Sequence, residues 1–162
     1  MELSAYLEIT GSDQGPIQGS SSRRAREDKI EVFQFNHCVE IPLGVDQSVG
    51  SGQATHRPLD IIKEVDRSTP KLYQALCQRE RLSEVKLVWY RYNQVGKEDL
   101  YYAIKLQNAR ILRIQPWTPD LTVAGQEHIR FMEKVSFGYE KIVWSWGPEG
   151  NVEYETDWFQ RT

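Results

Sequence analysis

Val135-Ser136-Phe137-Gly138-Tyr139-Glu140-Lys141-Ile142-Val143-Trp144-Ser145-Trp146 is a dense run of aromatic and β-branched residues. Taken from Ile129 onward it reads as one long strand, and Gly147-Pro148-Glu149-Gly150 turns it back into Val152 to Trp158. Such side chains suit a pleated surface, so two such runs around a Gly/Pro turn predict an antiparallel hairpin. The apolar side chains fall on odd positions in Ile129, Phe131, Val135, Phe137 and Tyr139, then on even ones in Ile142, Trp144 and Trp146. Side chains alternate faces along a strand. The parity change therefore predicts either a bulge near Glu140-Lys141 or a strand covered on both faces. Either way, part of the hairpin is expected to pack on something other than the chain's own core.

Working outward, Leu3, Ala5, Leu7 and Ile9 alternate with polar residues and predict a first strand, followed by a loop over Gly11 to Asp28. Lys29 to Val39 and Leu59 to Val65 read as strands. Ile41 to Arg57 between them is rich in glycine and poor in anchors, a loop long enough to suggest function. Ser68-Thr69-Pro70 starts a helix running to about Arg79, with the hydroxyl expected to cap it and Leu72, Tyr73, Leu76 and Cys77 as its apolar stripe. Arg79 and Arg81 suit the negative pole of its dipole. Val85 to Tyr92 and Glu98 to Gln107 form strands around Asn93 to Lys97, with Leu100, Tyr102, Ile104 and Leu106 on one face. Ala109 to Gln115 adds another strand, broken by Pro116-Trp117-Thr118-Pro119 before a loop over Asp120 to Gln126. Many strands and one helix predict a mainly β fold, a barrel or sandwich with the helix packed on its side.

The 162 residues suffice for one core, and a net charge of −3 gives no general attraction to nucleic acid or an anionic membrane. The cluster Arg23, Arg24 and Arg26 lies in a Ser/Gly-rich stretch and reads as a solvated loop face. Cys38 and Cys77 do not make a disulfide framework and are read as buried free thiols. No apolar region follows the N-terminus and no long apolar run occurs, so neither a cleaved signal nor membrane insertion is expected.

Chemistry-bearing motifs are missing. His37, His56 and His128 have no metal-ligand spacing and read as surface or interface residues, and adjacent His37 and Cys38 point to opposite faces of a strand. Gly50-Ser51-Gly52 lacks the Lys-Ser/Thr of a phosphate loop. Glu153, Glu155 and Asp157 share one face of one strand, opposite Val152, Tyr154, Thr156 and Trp158, which is a solvated row more readily than a glycosidase acid pair. No catalytic residue, metal site or cofactor is expected, and weight shifts to self-assembly. The alternative from the residues alone is a monomeric or dimeric β-sandwich carbohydrate-binding module using Trp89, Trp117 or Trp144.

The block Val135 to Trp146 closing at Asp157-Trp158 resembles the C-terminal signature of the haemolysin-coregulated protein (Hcp) family, tube subunits of bacterial type VI secretion. His56-Arg57-Pro58, Lys63-Glu64-Val65-Asp66, Ser68-Thr69-Pro70-Lys71-Leu72 and Val88-Trp89-Tyr90-Arg91 match upstream and in order. The resemblance implies a phage tail-tube-like fold over residues 1–162, two β-sheets in barrel-like packing with one flanking α-helix. It implies a homohexameric ring, rings stacked into a tube, a contractile sheath that expels it, a VgrG-type spike at its tip and small effector proteins in the lumen. It also implies residence in the cytoplasm before firing and then export. The chain ends four residues after Trp158, so no fused toxin domain is expected. Carried onto this chain, the family's extended self-assembly loop falls on Pro42, Gly44, Val45, Gly50, Ser51, Gly52 and His56. Ring-stacking loop tips fall on Gln18, Arg23, Asn93, Val95 and Gly96. Gln14 to Arg26 and Asp120 to Gln126 depart from the family pattern.

Overall fold

The computed structural model describes residues 3–44, 50, 52–126, 128, 130–147 and 151–159. The strands are β1 (Leu3–Gly11), β2 (Gly15–Ile17), β3 (Ile30–Asn36), β4 (Val39–Glu40), β5 (Thr55–His56) and β6 (Leu59–Glu64), followed by β7 (Leu82–Tyr92), β8 (Glu98–Trp117), β9 (Met132–Gly138), β10 (Lys141–Trp146) and β11 (Val152–Asp157). One helix, α1 (Thr69–Cys77), lies between β6 and β7.

The main sheet runs β11-β10-β8-β7-β1-β3-β6-β9, and β9 returns to pair with β8. β8, β7, β1, β3, β6 and β9 therefore close a barrel. β8 serves two walls, because Tyr102 to Gln107 pair with β10 while Arg110 to Trp117 pair with β9. β10 and β11 project beyond the closure as a hairpin. The expected mainly β, barrel-like architecture with one flanking helix is what the chain forms.

The long C-terminal strand is in fact two, and Tyr139-Glu140 separates them. Val135, Phe137, Tyr139 and Ile142 all enter the core, so the parity flip comes from a local insertion and not from burial of both faces. Phe131 stays exposed and Ile129 lies outside the described residues. Opposite this break, β8 flips as well. Leu106 and Ala109 both face the core because Asn108 between them adopts φ +51°. The two strands expected on either side of residue 108 are thus one kinked strand, and it continues through Pro116 to Trp117. A bulge between Trp89 and Tyr90 in the β7–β8 register sends Leu100 away from the face that holds Tyr102, Ile104 and Leu106.

Other expectations are corrected in the same way. Gly15–Ile17 folds back on β1 within the predicted loop, burying Ile17. The second strand ends at Asn36, and β4 pairs with β5 at the root of the long loop. In α1 the buried residues are Thr69, Leu72 and Ala75, and both thiols are exposed, so Cys77 is not on the packed face. Ser68 makes no cap to the helix backbone; its hydroxyl donates to Asp66. No basic residue falls in the last turn, because the helix ends at Cys77.

The helix is anchored instead by buried charge. Lys63 and Glu133 are fully buried and paired, from β6 and β9. Thr69 Oγ1 donates to Glu133 over 2.8 Å, while Lys63 Nζ reaches Thr69 at 3.3 Å and Asp66 at 3.1 Å. A charge pair taken out of water holds only when its remaining hydrogen-bonding capacity is met nearby. Here Thr69 of α1, Asp66 and the Glu64 carbonyl meet that of Lys63, while Glu133 Oε2 has no partner among the described residues.

Candidate assembly surfaces

Three surface features carry unmet hydrophobic or backbone capacity. The first is the projecting hairpin. On the face that continues the core outward, Tyr102 pairs with Trp146, and Trp146 with Val152; one step along, Ile104 pairs with Trp144, and Trp144 with Tyr154. Inside the barrel this face is filled by rings, Phe35 on Trp89 at 5.0 Å and Trp89 on Tyr102 at 5.4 Å. Farther out Trp144 stacks on Tyr154 at 6.1 Å. Beyond the closure no opposing sheet lies above it among the described residues, and Trp146, Val152 and Tyr154 are exposed at 49%, 63% and 64%. Among the described residues β11 also ends the sheet order, with no further strand beyond it. The opposite face of β11 is acidic, as expected, with Glu155 paired to Lys141 at 3.0 Å and Glu153 accepting from Ser145 at 3.0 Å.

The second feature is the long loop. Its arms carry Val39, Ile41 and Leu43, all exposed, with Leu43 at 70%. A Cβ on Gly50 would stand 2.5 Å from Ile41 Cγ2 and 3.3 Å from Pro42 O, so the two arms cross where only glycine fits. Gly44 is exposed, and Gly52 adopts φ +89°. Val45 and Ser51 lie outside the described residues. His56 stands apart from the others, since it belongs to β5 at the loop root and is buried against Tyr139 and Trp158.

The third is the β7–β8 turn. Asn93 Oδ1 accepts from Val95 N at 3.0 Å and Lys97 N at 2.9 Å, and Asn93 Nδ2 donates to Asp99 at 2.8 Å. With Gly96 at φ +78°, this fixes the tip and leaves Val95 86% exposed. Arg23 belongs to the same end. It donates to Tyr92 and Tyr6 hydroxyls at 3.0 and 3.2 Å and pairs with Glu98 at 3.2 Å, and these partners hold its pKa above the ordinary value. Arg26 lies over the Tyr90 ring at 3.5 Å. Arg23 and Arg26 thus brace the turn, while Arg24 of the same cluster is exposed. Gln18 lies elsewhere, in a shallow depression with Glu8 and Lys29 beside the middle of β1.

Of the tryptophans considered for sugar stacking, Trp89 and Trp144 are committed to rings of the same chain, and Trp117 is partly exposed at the end of β8. Among the described residues no cluster of His, Cys, Asp and Glu could hold a metal ion. Sequence reasoning missed Lys63, Glu133 and the His56 cluster. Their only signal was a lysine and a glutamate at positions of strand alternation that face the core.

The family model for the type VI secretion system effector Hcp matches residues 6–146. The Major exported protein of Pseudomonas aeruginosa is 34% identical over 154 residues, covering 90% of each chain. Among solved structures, Hcp1 of E. coli EAEC 042 pathovar superposes with a TM-score of 0.86 at 29% identity, over 98% of this chain and 100% of that one. Secreted protein Hcp3 from Pseudomonas aeruginosa does so with a TM-score of 0.80 at 30% identity, over 98% and 100%.

Proposed function

The chain belongs to the Hcp family of type VI secretion system effectors, and from that premise we propose that it is a structural subunit of the secretion tube. Residues 1–162 act as one tube domain, six copies close into a ring, and rings stack into a hollow tube. A contractile sheath expels the tube behind a VgrG-type spike, with small effector proteins carried in its lumen. The subunit waits in the cytoplasm and is then exported, and the relative named Major exported protein supports the export. Its work is mechanical, and no bond is made or broken on it.

The observation that carries this reading is the projecting β10–β11 hairpin, whose exposed apolar face is attached to an otherwise closed barrel. A second and different apolar element, the loop bearing Ile41 and Leu43, supplies a complementary surface. Contact between two unlike patches is head-to-tail, and such contacts generate rings when their rotation closes. Pro42, Gly44, Val45, Gly50, Ser51 and Gly52 form the arm of that contact, with His56 anchoring its root. Arg23, Asn93, Val95 and Gly96 form a stacking end, and Gln18, away from that end on the barrel wall, would make a separate contact.

Native mass spectrometry and electron microscopy test it together. Six-fold annular particles are expected, and Tyr154→Asp or Leu43→Asp should return folded monomers by circular dichroism. A wild-type protein that stays monomeric when concentrated, with no annular particles, would overturn the reading.

A further inference from the structure

The root of the long loop is fastened by an arrangement that packing alone does not require. The Tyr139 hydroxyl lies 2.7 Å from His56 Nδ1 and 3.0 Å from His37 Nε2. Trp158 stacks on the His56 ring at 5.9 Å and meets Tyr139 edge-on at 4.8 Å, while its backbone N–H donates to Glu140 O over 2.7 Å. His37 follows β3, His56 is in β5, Tyr139 sits at the β9–β10 break and Trp158 follows β11. Four separate parts of the chain meet at one phenol.

A phenol has one proton to give and lone pairs to accept with. With both imidazoles neutral, it donates to one and accepts from the N–H of the other. One added proton is accommodated, since the phenol can accept from the imidazolium and donate to the ring that stays neutral. A second removes the last acceptor, stranding the phenol proton and placing two cations against a single oxygen. His56 Nε2 is already buried without a hydrogen-bond partner among the described residues, so an imidazolium there would bury an unpaired N–H.

Nearby charge does not compensate. A backbone hydrogen bond at Arg57 and, after it, the charge of Asp60 of β6 favour a proton on His37, but burial and His56 outweigh both. Asp60 is itself held by Ser136 and by Lys134 at 3.5 Å. Arg57 is paired with Glu40 at 3.0 Å. Arg110, Glu140 and Asp157 line the cleft that Tyr139, Trp158 and Phe159 also line. The indole face of Trp158 favours a cation but supplies no acceptor for its N–H.

We propose that His37, Tyr139, His56 and Trp158 form a proton-sensitive clasp that fastens the root of the β4–β5 loop to the last strand, and that protonation of the imidazoles opens it. Opening releases Trp158 and Phe159 from the adjoining cleft of about 630 Å³. The opening belongs to the single chain; only its consequence, a loosened arm toward the neighbouring copy, rests on the tube reading. Burial lowers His37, with His56 adding to the effect, and burial lowers His56; both lie below the ordinary 6.5. The clasped state therefore binds fewer protons than the open one. It is fully closed above the open-state value near 6.5. Below that the closed-to-open ratio falls by up to about tenfold per pH unit for each histidine, until the lowered values are passed.

The full chain labelled with 5-fluorotryptophan, followed by fluorine NMR from pH 8 to 4.5, tests the clasp. Trp158→Phe assigns the resonance. The Trp158 signal is expected to move toward an exposed position with a midpoint below 6.5 while the other four hold. The step should vanish in the His37→Gln/His56→Gln double variant and survive in His128→Gln. A Trp158 signal fixed down to pH 4.5, or a step undiminished in the double variant, overturns the clasp. Should the double variant not fold, Tyr139→Phe keeps the ring and removes the shared hydroxyl. It should shift Trp158 toward its exposed position already at pH 8, and a wild-type position there overturns the proposal. Native mass spectrometry across the same range separates the two readings. Rings that dissociate while Trp158 stays put refute the clasp alone, and a Trp158 step in a protein monomeric throughout supports the clasp and refutes the ring.

Discussion

Asn108 and Glu140 face each other where β8 kinks and β9 gives way to β10, with Asn108 Nδ2 donating to Glu140 Oε2 over 3.0 Å. Both strands exchange their inward and outward faces at this level, and Asn108 does so in the left-handed region at φ +51°. Asparagine tolerates that conformation better than most residues. Asn108→Ala is expected to cost about 1–2 kcal/mol through backbone strain and the lost bond. Asn108→Gly should cost less, since it relieves the backbone. Denaturant midpoints check the order, and equal losses would place the whole cost in the hydrogen bond.

Lys63 and Glu133 form a buried pair whose partners cannot be removed singly. Lys63→Met leaves a buried carboxylate facing an apolar chain and is expected to cost about 3–5 kcal/mol. The double change Lys63→Met/Glu133→Leu should recover most of that loss. Equilibrium unfolding of the single and double variants measures it. A double variant as unstable as the single one would mean that the network is needed for more than neutralising itself.

Asp66 predicts an acid dependence at the start of α1. Burial favours its neutral form, but the Ser68 hydroxyl and Lys63 outweigh burial and hold its pKa below the ordinary 3.8. A depressed carboxyl contributes stability that is complete above the unfolded value and lost as pH falls through the folded one. Melting temperature should therefore drop below about pH 4, and drop less steeply in Asp66→Asn.

Arg79 closes α1 in a conformation made for glycine. Its φ is +53°, and the pattern of Glu80 N on Ala75 O at 2.9 Å and Arg79 N on Leu76 O at 3.2 Å is a Schellman ending. Arg79→Gly is expected to raise stability by up to about 1 kcal/mol, because left-handed backbone no longer opposes a Cβ. Arg110 donates to the Arg79 carbonyl, a contact the change leaves available. Thermal denaturation with an unchanged or lower midpoint would contradict this.

Val95 offers a cleaner probe of stacking than Gly96. A side chain at Gly96 meets no atom within 4 Å, but φ +78° makes any substitution a backbone change as well. Val95→Asp should shorten tubes seen by electron microscopy while leaving ring size unchanged and stability within about 0.5 kcal/mol. Tubes of wild-type length would remove this tip from the stacking surface.

Much of this was legible because strand alternation and turn residues are local. The change from odd to even positions around Glu140 placed the break within a residue, and the residues on either side of Asn108 marked a boundary. What periodicity could not show was that β8 passes straight through that boundary, since continuity depends on the pairing of Arg110 with Gly138 and Gln107 with Lys141. The helix stripe was read in part: Leu72 and Leu76 pack as expected, Cys77 does not, and Thr69 turns inward toward Glu133, a partner 64 residues away. Of the reading of the histidines as surface or interface residues, the surface half failed at His56 for the same reason, its neighbours Tyr139 and Trp158 being remote in sequence. Of the candidate assembly surfaces, the tip held by Asn93 was readable as a turn, whereas the exposed shelf of Trp146, Val152 and Tyr154 needed the knowledge of where the barrel closes.

β8 runs without a gap from beside the Asn93–Lys97 turn to Trp117, at the mouth of the connection leading to β9. Thrust delivered at one of those ends and resisted at the other would travel through covalent peptide. The flanking ladders, whose bonds lie across the strands, would then be sheared as a set and not peeled one at a time.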